Sequence, residues 1–263
     1  MKSIKLGVSR SLAINILPIA ILFFSALCSA DHRTVKVVTE YLAPYQIKND
    51  DGSLGGFSTD VINALFDQTQ DQANIHVLPW ARAYEMARTE PNVMIYSIAH
   101  TSARSAQFQW VGSLKKERLY FWGLKSRFSA PVDDYNTLKH MKVAASRYSN
   151  VAEFLENETF KNIYHLIKED QNMLMLYRQR VDLIVATELT LITRAKKLGL
   201  DFDKIIKLKE VSELNNDLCI AFNLQSSPEL VQQYKEAFTK LATSGALQKL
   251  KDKWQITDAQ LIN

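Results

Sequence analysis

Short β-branched runs alternate with amphipathic helical patterns in the first part of the chain, and Pro79 and Pro91 stand between them. A period of two residues indicates a strand, and a period near 3.6 indicates a helix. The predicted elements are a strand at 35–39, a helix at 60–70, a strand at 75–78, a helix at 81–88 and a strand at 93–97. Their alternation predicts βα units and a first α/β lobe.

A second α/β lobe is predicted after the apolar run 119–124, where the polar stretch 125–136 is the only composition shift. We place the first crossing between lobes there. Later strands are predicted at 143–145, 163–167, 181–186 and 218–222, and helices at 151–157, 172–178, 189–198, 228–241 and 246–254. The expected lobes are residues 31–122 with 218–263, and residues 123–217. Two crossings predict a two-segment hinge that permits closure around a ligand.

The amino-terminal segment predicts export. Lys2, Lys5 and Arg10 precede an apolar run over 12–27, and the small residues 28–30 follow it. This pattern is typical of a cleavable secretory signal peptide at 1–30, with a retained membrane anchor as the alternative. Cleavage would lower the formal charge from +4 to +1, so the composition indicates no nucleic-acid partner. Cys219 would remain as the single thiol, which excludes an internal disulfide.

The strongest candidates for ligand binding lie near the end of the strand at 93–97. Arg104 closes the run Thr101-Ser102-Ala103-Arg104 and carries a permanently charged planar fork suited to a carboxylate. Open α/β sheets bind ligands beyond the carboxyl ends of their strands, where Ser97 and Thr101 would add hydroxyl donors. The alternative for Arg104 is an ordinary surface arginine in a solvated loop.

Two further segments of the first lobe are candidates for the walls of a ligand-binding crevice at these strand ends. Trp80 follows the strand at 75–78, and the cationic Arg82 lies two residues further along the chain. Tyr41 and Leu42 lie in the first strand-to-helix loop. A tryptophan there offers a stacking platform, although core packing between helix and sheet is an equally good interpretation. The run Gly55-Gly56-Phe57-Ser58-Thr59 predicts a tight turn into a capped helix.

The second lobe offers candidates at two helix starts. Ser146 and Arg147 lie between a strand and a helix, where free backbone amides and the helix dipole attract anions. Simple N-capping by Ser149 is the alternative. Thr187 and Glu188 end the strand at 181–186, and Glu188 would accept hydrogen bonds from a ligand ammonium or hydroxyl group.

Other chemistry is sparse in the sequence. The five histidines lack metal-ligand spacing, and no nucleophile elbow, phosphate loop or dinucleotide fingerprint is present. We therefore expect no cofactor, no metal and no enzymatic activity. Catalysis would need an inconspicuous acid or base such as Glu40, Glu188 or His100.

Across its exported part, the chain resembles the bacterial extracellular solute-binding proteins of family 3. The resemblance is carried by the order and spacing of several runs: Ala43-Pro44-Tyr45, Gly56-Phe57-Ser58-Thr59-Asp60-Val61, Thr101-Ser102-Ala103-Arg104, residues 180–186, Ser244-Gly245-Ala246 and Lys253-Trp254. It implies a two-lobed type II periplasmic-binding fold of the α/β class and a monomeric periplasmic receptor for a small carboxylate-bearing solute. An inner-membrane ABC permease is the implied partner.

By the same resemblance, Arg104 matches the arginine that holds a ligand carboxylate, Thr101 belongs to its loop, and Trp80 matches an aromatic that covers the ligand. The chain departs from the family where Thr187 replaces an aspartate that takes the ligand ammonium, and where the loop 146–150 lacks its usual glycine. Leu42 lies where members often carry an aromatic residue. The alternatives are a ligand-sensing partner of a membrane sensor and a periplasmic enzyme similar to the cyclohexadienyl dehydratases.

Overall fold

The computed structural model describes residues 33–168 and 170–257, so the predicted signal peptide lies outside the described residues. Within them, twelve strands are formed: β1 Thr34–Thr39, β2 Ile47–Lys48, β3 Leu54–Gly55, β4 Gln72–Val77, β5 Val93–Ala99, β6 Phe108–Lys116, β7 Tyr120–Leu124, β8 Lys142–Ser146, β9 Asn162–Leu166, β10 Leu183–Ala186, β11 Ile205–Glu210 and β12 Asp217–Asn223. The helices are α1 Phe57–Thr69, α2 Trp80–Thr89, α3 Asn150–Asn157, α4 Asp170–Tyr177, α5 Glu188–Leu198, α6 Pro228–Thr243 and α7 Ala246–Lys253. No helix in this part of the chain has the length and apolarity needed to cross a membrane.

The first lobe is built on a five-stranded sheet in the order β4-β1-β5-β12-β6. β1 lies parallel to both β4 and β5, whereas β12 runs antiparallel to β5 and β6. Successive residues of β1 enter different cores: Val37 packs with α1 and α6, and Val38 packs with α2 on the opposite face. Both faces of this sheet are covered, which explains why all seven residues of β5 are buried.

The second lobe repeats this plan with the sheet order β11-β7-β10-β8-β9. Val143 and Ala145 of β8 pack with α3, while Ala144 between them packs with α4 and α5 on the other face. The period of two therefore assigns alternate residues to two separate cores. The predicted α/β class and the predicted two-lobed arrangement are confirmed.

The two lobes are joined by two short crossings, one at 117–119 and one at 211–216. The first crossing corrects a sequence prediction, because we expected it at 125–136, after the apolar run at 119–124. That run forms β7, which pairs with β10 and β11 in the second sheet. Hydrophobicity shows that such a run is buried but carries no information about which sheet supplies its hydrogen-bonding partners.

Four strands have no counterpart among the sequence predictions: the two-residue strands β2 and β3, and the longer strands β6 and β11. Both β6 and β11 lie at an edge of their sheet, and in both only part of the residues are buried. An edge strand has one neighbour and a partly solvated face, so its apolar pattern is weaker than that of a central strand. The helices, in contrast, all lie within a few residues of their predicted positions.

Candidate functional site

A cavity of about 90 Å³ lies where strand ends of the two sheets face each other. The first lobe contributes residues from the loop after β1, the start of α2 and the end of β5, and the second lobe contributes residues from the ends of β8 and β10 and from the starts of α3 and α5. Its lining consists of Glu40, Leu42, Trp80, Ser97, Ala99, Arg104, Glu117, Leu119, Ala145, Ser146, Ser149, Asn150, Val151, Asn172, Val185, Ala186, Thr187, Thr190 and Leu218. Sheets of this type bind ligands at such strand ends.

Arg104 is the most buried charged side chain of this cavity, with 1% of its surface exposed. Its guanidinium carbon lies 4.8 Å from the ring centre of Tyr84 and 5.8 Å from that of Trp80. Its Nη2 donates to Glu153 Oε1 over 2.7 Å and to the carbonyl oxygen of Tyr148 over 3.0 Å. Within the described chain, Arg104 Nε is buried and has no hydrogen-bond partner. The arginine is therefore a desolvated cation whose Nη2 is bound and whose Nε is unsatisfied.

Trp80 lies in the core of the first lobe and also lines the cavity. It is 5% exposed and packs in the core between α2 and the sheet, where its ring stacks on Tyr84 at 5.8 Å. It also lines the cavity, and its Nε1 donates to the carbonyl oxygen of Tyr148 over 2.9 Å. One aromatic side chain thus belongs to the core and to the cavity wall.

Ser97 also lines the cavity, but its hydroxyl group is engaged within the first lobe. It donates to Ser58 Oγ over 3.0 Å and accepts from Gln46 Nε2. Its φ is 58°, which is uncommon for a residue with a side chain. Gln46, Ser97 and Ser58 therefore form a buried hydrogen-bonded chain, of which Ser97 lines the cavity.

Of four other predicted residues of the first lobe, one lines the cavity and three do not. Leu42 lines the cavity, whereas Tyr41 is 42% exposed and lines a separate depression of about 350 Å³ beside Glu40. Thr101 positions the Arg104 loop, because its carbonyl oxygen accepts from Arg104 N over 3.0 Å, but it does not line the cavity. Arg82 is exposed on α2 and lies outside the cavity.

The second-lobe loop after β8 is divided between two surfaces. Ser146 is buried and lines the cavity, while Arg147 is exposed and lines a different depression together with Glu153. Ser149 caps α3 by accepting from Ala152 N over 3.1 Å, as the alternative interpretation of this loop expected. Tyr148 takes φ 59° and directs its carbonyl oxygen to the first lobe.

Thr187 and Glu188 are adjacent in sequence but lie in different environments. Thr187 lines the cavity and caps α5, since its hydroxyl oxygen accepts from Thr190 N over 3.2 Å. Glu188 is half exposed and accepts from Lys207 Nζ over 2.8 Å, outside the cavity lining. The structure therefore does not bring Glu188 together with Arg104.

Sequence reasoning did not identify Glu117, a carboxylate at the first crossing that lines the cavity. Some of its surface is exposed, yet protein surrounds the carboxylate, and this desolvation raises the pKa of Glu117. The charge of Lys115 and a hydrogen bond from Tyr45 act in the opposite direction. Lys115 Nζ itself donates to Tyr45 Oη over 3.1 Å. No local pattern distinguishes Glu117 from a solvated charge in a run of charged residues.

Of the three candidate acid or base residues, only Glu40 lines the cavity. His100 stacks on Trp110, with ring centres 3.9 Å apart, and its Nε2 lies 2.8 Å from Ser105 Oγ. Among the residues that the structure describes, no group of three or more histidine, cysteine or acidic side chains is arranged to hold a metal ion.

A cavity between two α/β lobes, joined by two crossings and lined by both, defines a binding protein of the type II periplasmic-binding fold. Residues 35–257 match the bacterial extracellular solute-binding proteins, family 3, and the chain belongs to that family. The resemblance noted in the sequence is thereby confirmed. A comparison with curated proteins found no match.

Solved structures agree on the fold. An ancestral arginine-binding protein bound to arginine superposes with a TM-score of 0.74 at 17% identity, covering 84% of this chain and 97% of that one. A histidine kinase sensor domain with similarity to periplasmic binding proteins gives a TM-score of 0.76 at 16% identity, covering 85% and 96%. A Salmonella typhimurium periplasmic binding protein with high arginine specificity gives 0.71 at 17% identity, covering 84% and 99%.

Proposed function

We propose that this protein is an exported receptor that binds a small carboxylate-bearing solute, an amino acid or a related organic acid, between its two lobes. The observation that carries the proposal is Arg104, a guanidinium 1% exposed at a cavity lined by both lobes and with Nε unsatisfied among the described residues. A buried donor without a partner costs about 1–3 kcal/mol, and a ligand carboxylate would relieve that cost.

The remaining charges of the cavity support a ligand that also carries an amino group. Glu40 and Glu117 both line it, and Thr187 and Thr190 add hydroxyl groups from the second lobe. A zwitterion would direct its carboxylate to Arg104 and its ammonium group to these acceptors. Contacts to both lobes stabilise the closed arrangement over the open one, so that solute binding drives closure.

A thermal-shift screen over amino acids, dicarboxylates and short peptides tests the proposal, because a ligand that binds only the folded state raises the melting temperature. With the best solute, Arg104→Ala should weaken binding by about 10- to 150-fold, from the roughly 1.5–3 kcal/mol of a charge-assisted hydrogen bond. The matched control is Arg88→Ala, an exposed arginine of α2 whose ion pair to Glu85 lies away from the cavity. Undiminished binding by Arg104→Ala would contradict the site assignment.

We propose further that the closed, loaded form presents its solute to an inner-membrane ABC permease. Membership of the family supports this, because its members are extracellular solute-binding proteins. The alternative partner is a membrane sensor that responds to the same closure. Transport of radiolabelled solute by cells that lack the receptor gene distinguishes the two, since only the permease role predicts lost uptake.

An enzyme on this scaffold is the alternative supported by a specific observation, the two carboxylates Glu40 and Glu117 in one cavity with Arg104. Desolvation raises the pKa of Glu117, the direction of shift that suits a general acid. Turnover separates the two functions. A receptor returns its solute unchanged after denaturation of the complex, whereas an enzyme converts it in proportion to time.

A further inference from the structure

Three hydrogen bonds from the first lobe to the second converge at the start of α3. Arg104 Nη2 donates to Glu153 Oε1 over 2.7 Å and to the carbonyl oxygen of Tyr148 over 3.0 Å. Trp80 Nε1 donates to the same carbonyl oxygen over 2.9 Å. Arg104, which is proposed to hold the solute, and Trp80, which lines the cavity, therefore also bind the second lobe.

Arg104 lines the cavity, but its ion-pair partner Glu153 does not. The glutamate lines a separate depression formed with Arg147, Tyr148 and Glu156. The Nη2 atom serves the second lobe, while Nε has no partner within the described residues. Because Glu153 lies outside the cavity lining, its ion pair with Arg104 does not occupy the space of a solute.

We propose that Glu153 is a positioning residue for solute binding, which acts through Arg104 and stabilises the closed arrangement before a solute enters. The inference rests on the proposed binding role of Arg104. Glu153 holds the guanidinium between the lobes with the orientation that a solute needs. Part of the free energy of closure then comes from the protein itself, and the solute needs to supply less.

The size of the effect follows from the burial of the pair. The Arg104 side chain is 1% exposed and that of Glu153 is 36% exposed, so solvent screens the interaction more than in a fully buried pair. We expect loss of the Glu153 carboxylate to lower the ratio of closed to open molecules about tenfold, which lies between the effects of surface and buried ion pairs. Helix α3 should be retained, because alanine is a good helix former.

The test measures the radius of gyration by small-angle X-ray scattering, on full-length exported protein freed of bound solute by unfolding and refolding. Glu153→Ala should give a larger radius than wild type at low salt. The matched control is Glu156→Ala on the same helix, since Glu156 pairs with His165 inside the second lobe at 3.3 Å and does not contact Arg104. This control should keep the wild-type radius.

Salt and a conservative variant separate positioning from a merely structural role. Raising the ionic strength screens a partly exposed ion pair, so the wild-type radius should increase with salt while that of Glu153→Ala stays constant. Glu153→Gln retains an oxygen acceptor without the charge and should give an intermediate radius with no salt dependence.

Equal radii for wild type and Glu153→Ala at low salt would overturn the inference, as would a salt response that survives in Glu153→Ala. Glu153→Ala should also bind a solute from the thermal-shift screen about tenfold more weakly, because its ratio of closed to open molecules is about tenfold lower. A screen that finds no solute would count against the proposed function instead. The scattering comparison requires no solute and would decide the role of Glu153 in closure separately.

Discussion

Gly56→Ala is expected to destabilise the protein strongly, because the glycine stands where a side chain has no space. Its φ is 108° and its ψ is 164°, a combination that is essentially restricted to glycine. A Cβ atom there would lie 2.4 Å from the carbonyl oxygen of Tyr45 and 2.9 Å from that of Pro44. Both neighbours are backbone atoms, so no side-chain rotation relieves the contact.

Those carbonyl groups cannot move without a cost, because they accept hydrogen bonds from the first amides of α1. Phe57 N donates to Pro44 O over 3.1 Å, and Ser58 N donates to Tyr45 O over 3.0 Å. The strained backbone costs roughly 1–3 kcal/mol, and weakened capping contacts cost about 0.5–2 kcal/mol each. The expected loss is about 3–5 kcal/mol in the free energy of unfolding, from these two contributions together.

Gly52→Ala is the matched control, because Gly52 also has a positive φ, 85°, but its Cβ would meet only Lys48 Cε at 3.9 Å. In this variant the free energy of unfolding should fall only by the cost of a positive φ for alanine, about 1–2 kcal/mol. Urea unfolding followed by tryptophan fluorescence measures both, provided that the m-values agree. If Gly56→Ala loses no more stability than Gly52→Ala, the contact with the carbonyl groups does not determine the role of this glycine.

Two further predictions concern Cys219 and Asp60. Cys219 is 4% exposed, and burial followed by the charge of Asp217 raises its pKa to about 12, so a disulfide reagent at pH 8 should modify the native thiol far more slowly than the denatured one. Rapid native labelling would contradict this burial. Asp60 Oδ2 accepts from Lys253 Nζ and Trp254 Nε1, each over 2.7 Å. Asp60→Ala should therefore release the carboxy-terminal helix to limited proteolysis, with retained wild-type resistance as the contrary result.

Local patterns were sufficient for most of the elements. The helix predicted at 189–198 corresponds to α5, which ends at Gly199 with φ 64° at that glycine. Central strands were equally clear, because burial on both faces leaves a continuous apolar run, as in β5. The edge strands β6 and β11 were missed, because each buries only part of its residues, although the edge strands β4 and β9 were predicted.

The candidate site was predicted in part. Because strand ends collect ligand-binding residues, the sequence pointed to Arg104, Trp80 and Ser146, which the structure brings to one cavity. Glu188 was predicted to face the same cavity but pairs with Lys207 instead. Neighbouring residues at a helix start point in different directions, and their orientation follows from the packing of the whole helix.

Periodicity and turn chemistry were thus enough for the class of fold, the positions of the helices and the existence of two lobes, because these depend on interactions between residues close in sequence. The sheet that receives β7, the burial of Glu117 and the pairing of Arg104 with Glu153 depend on residues distant in sequence. The pairing of β7 requires the assembled second sheet, and the pairing of Arg104 with Glu153 forms only when the two lobes are close together. Which charged side chains can contact a solute is therefore decided by the folded structure and not by local sequence patterns.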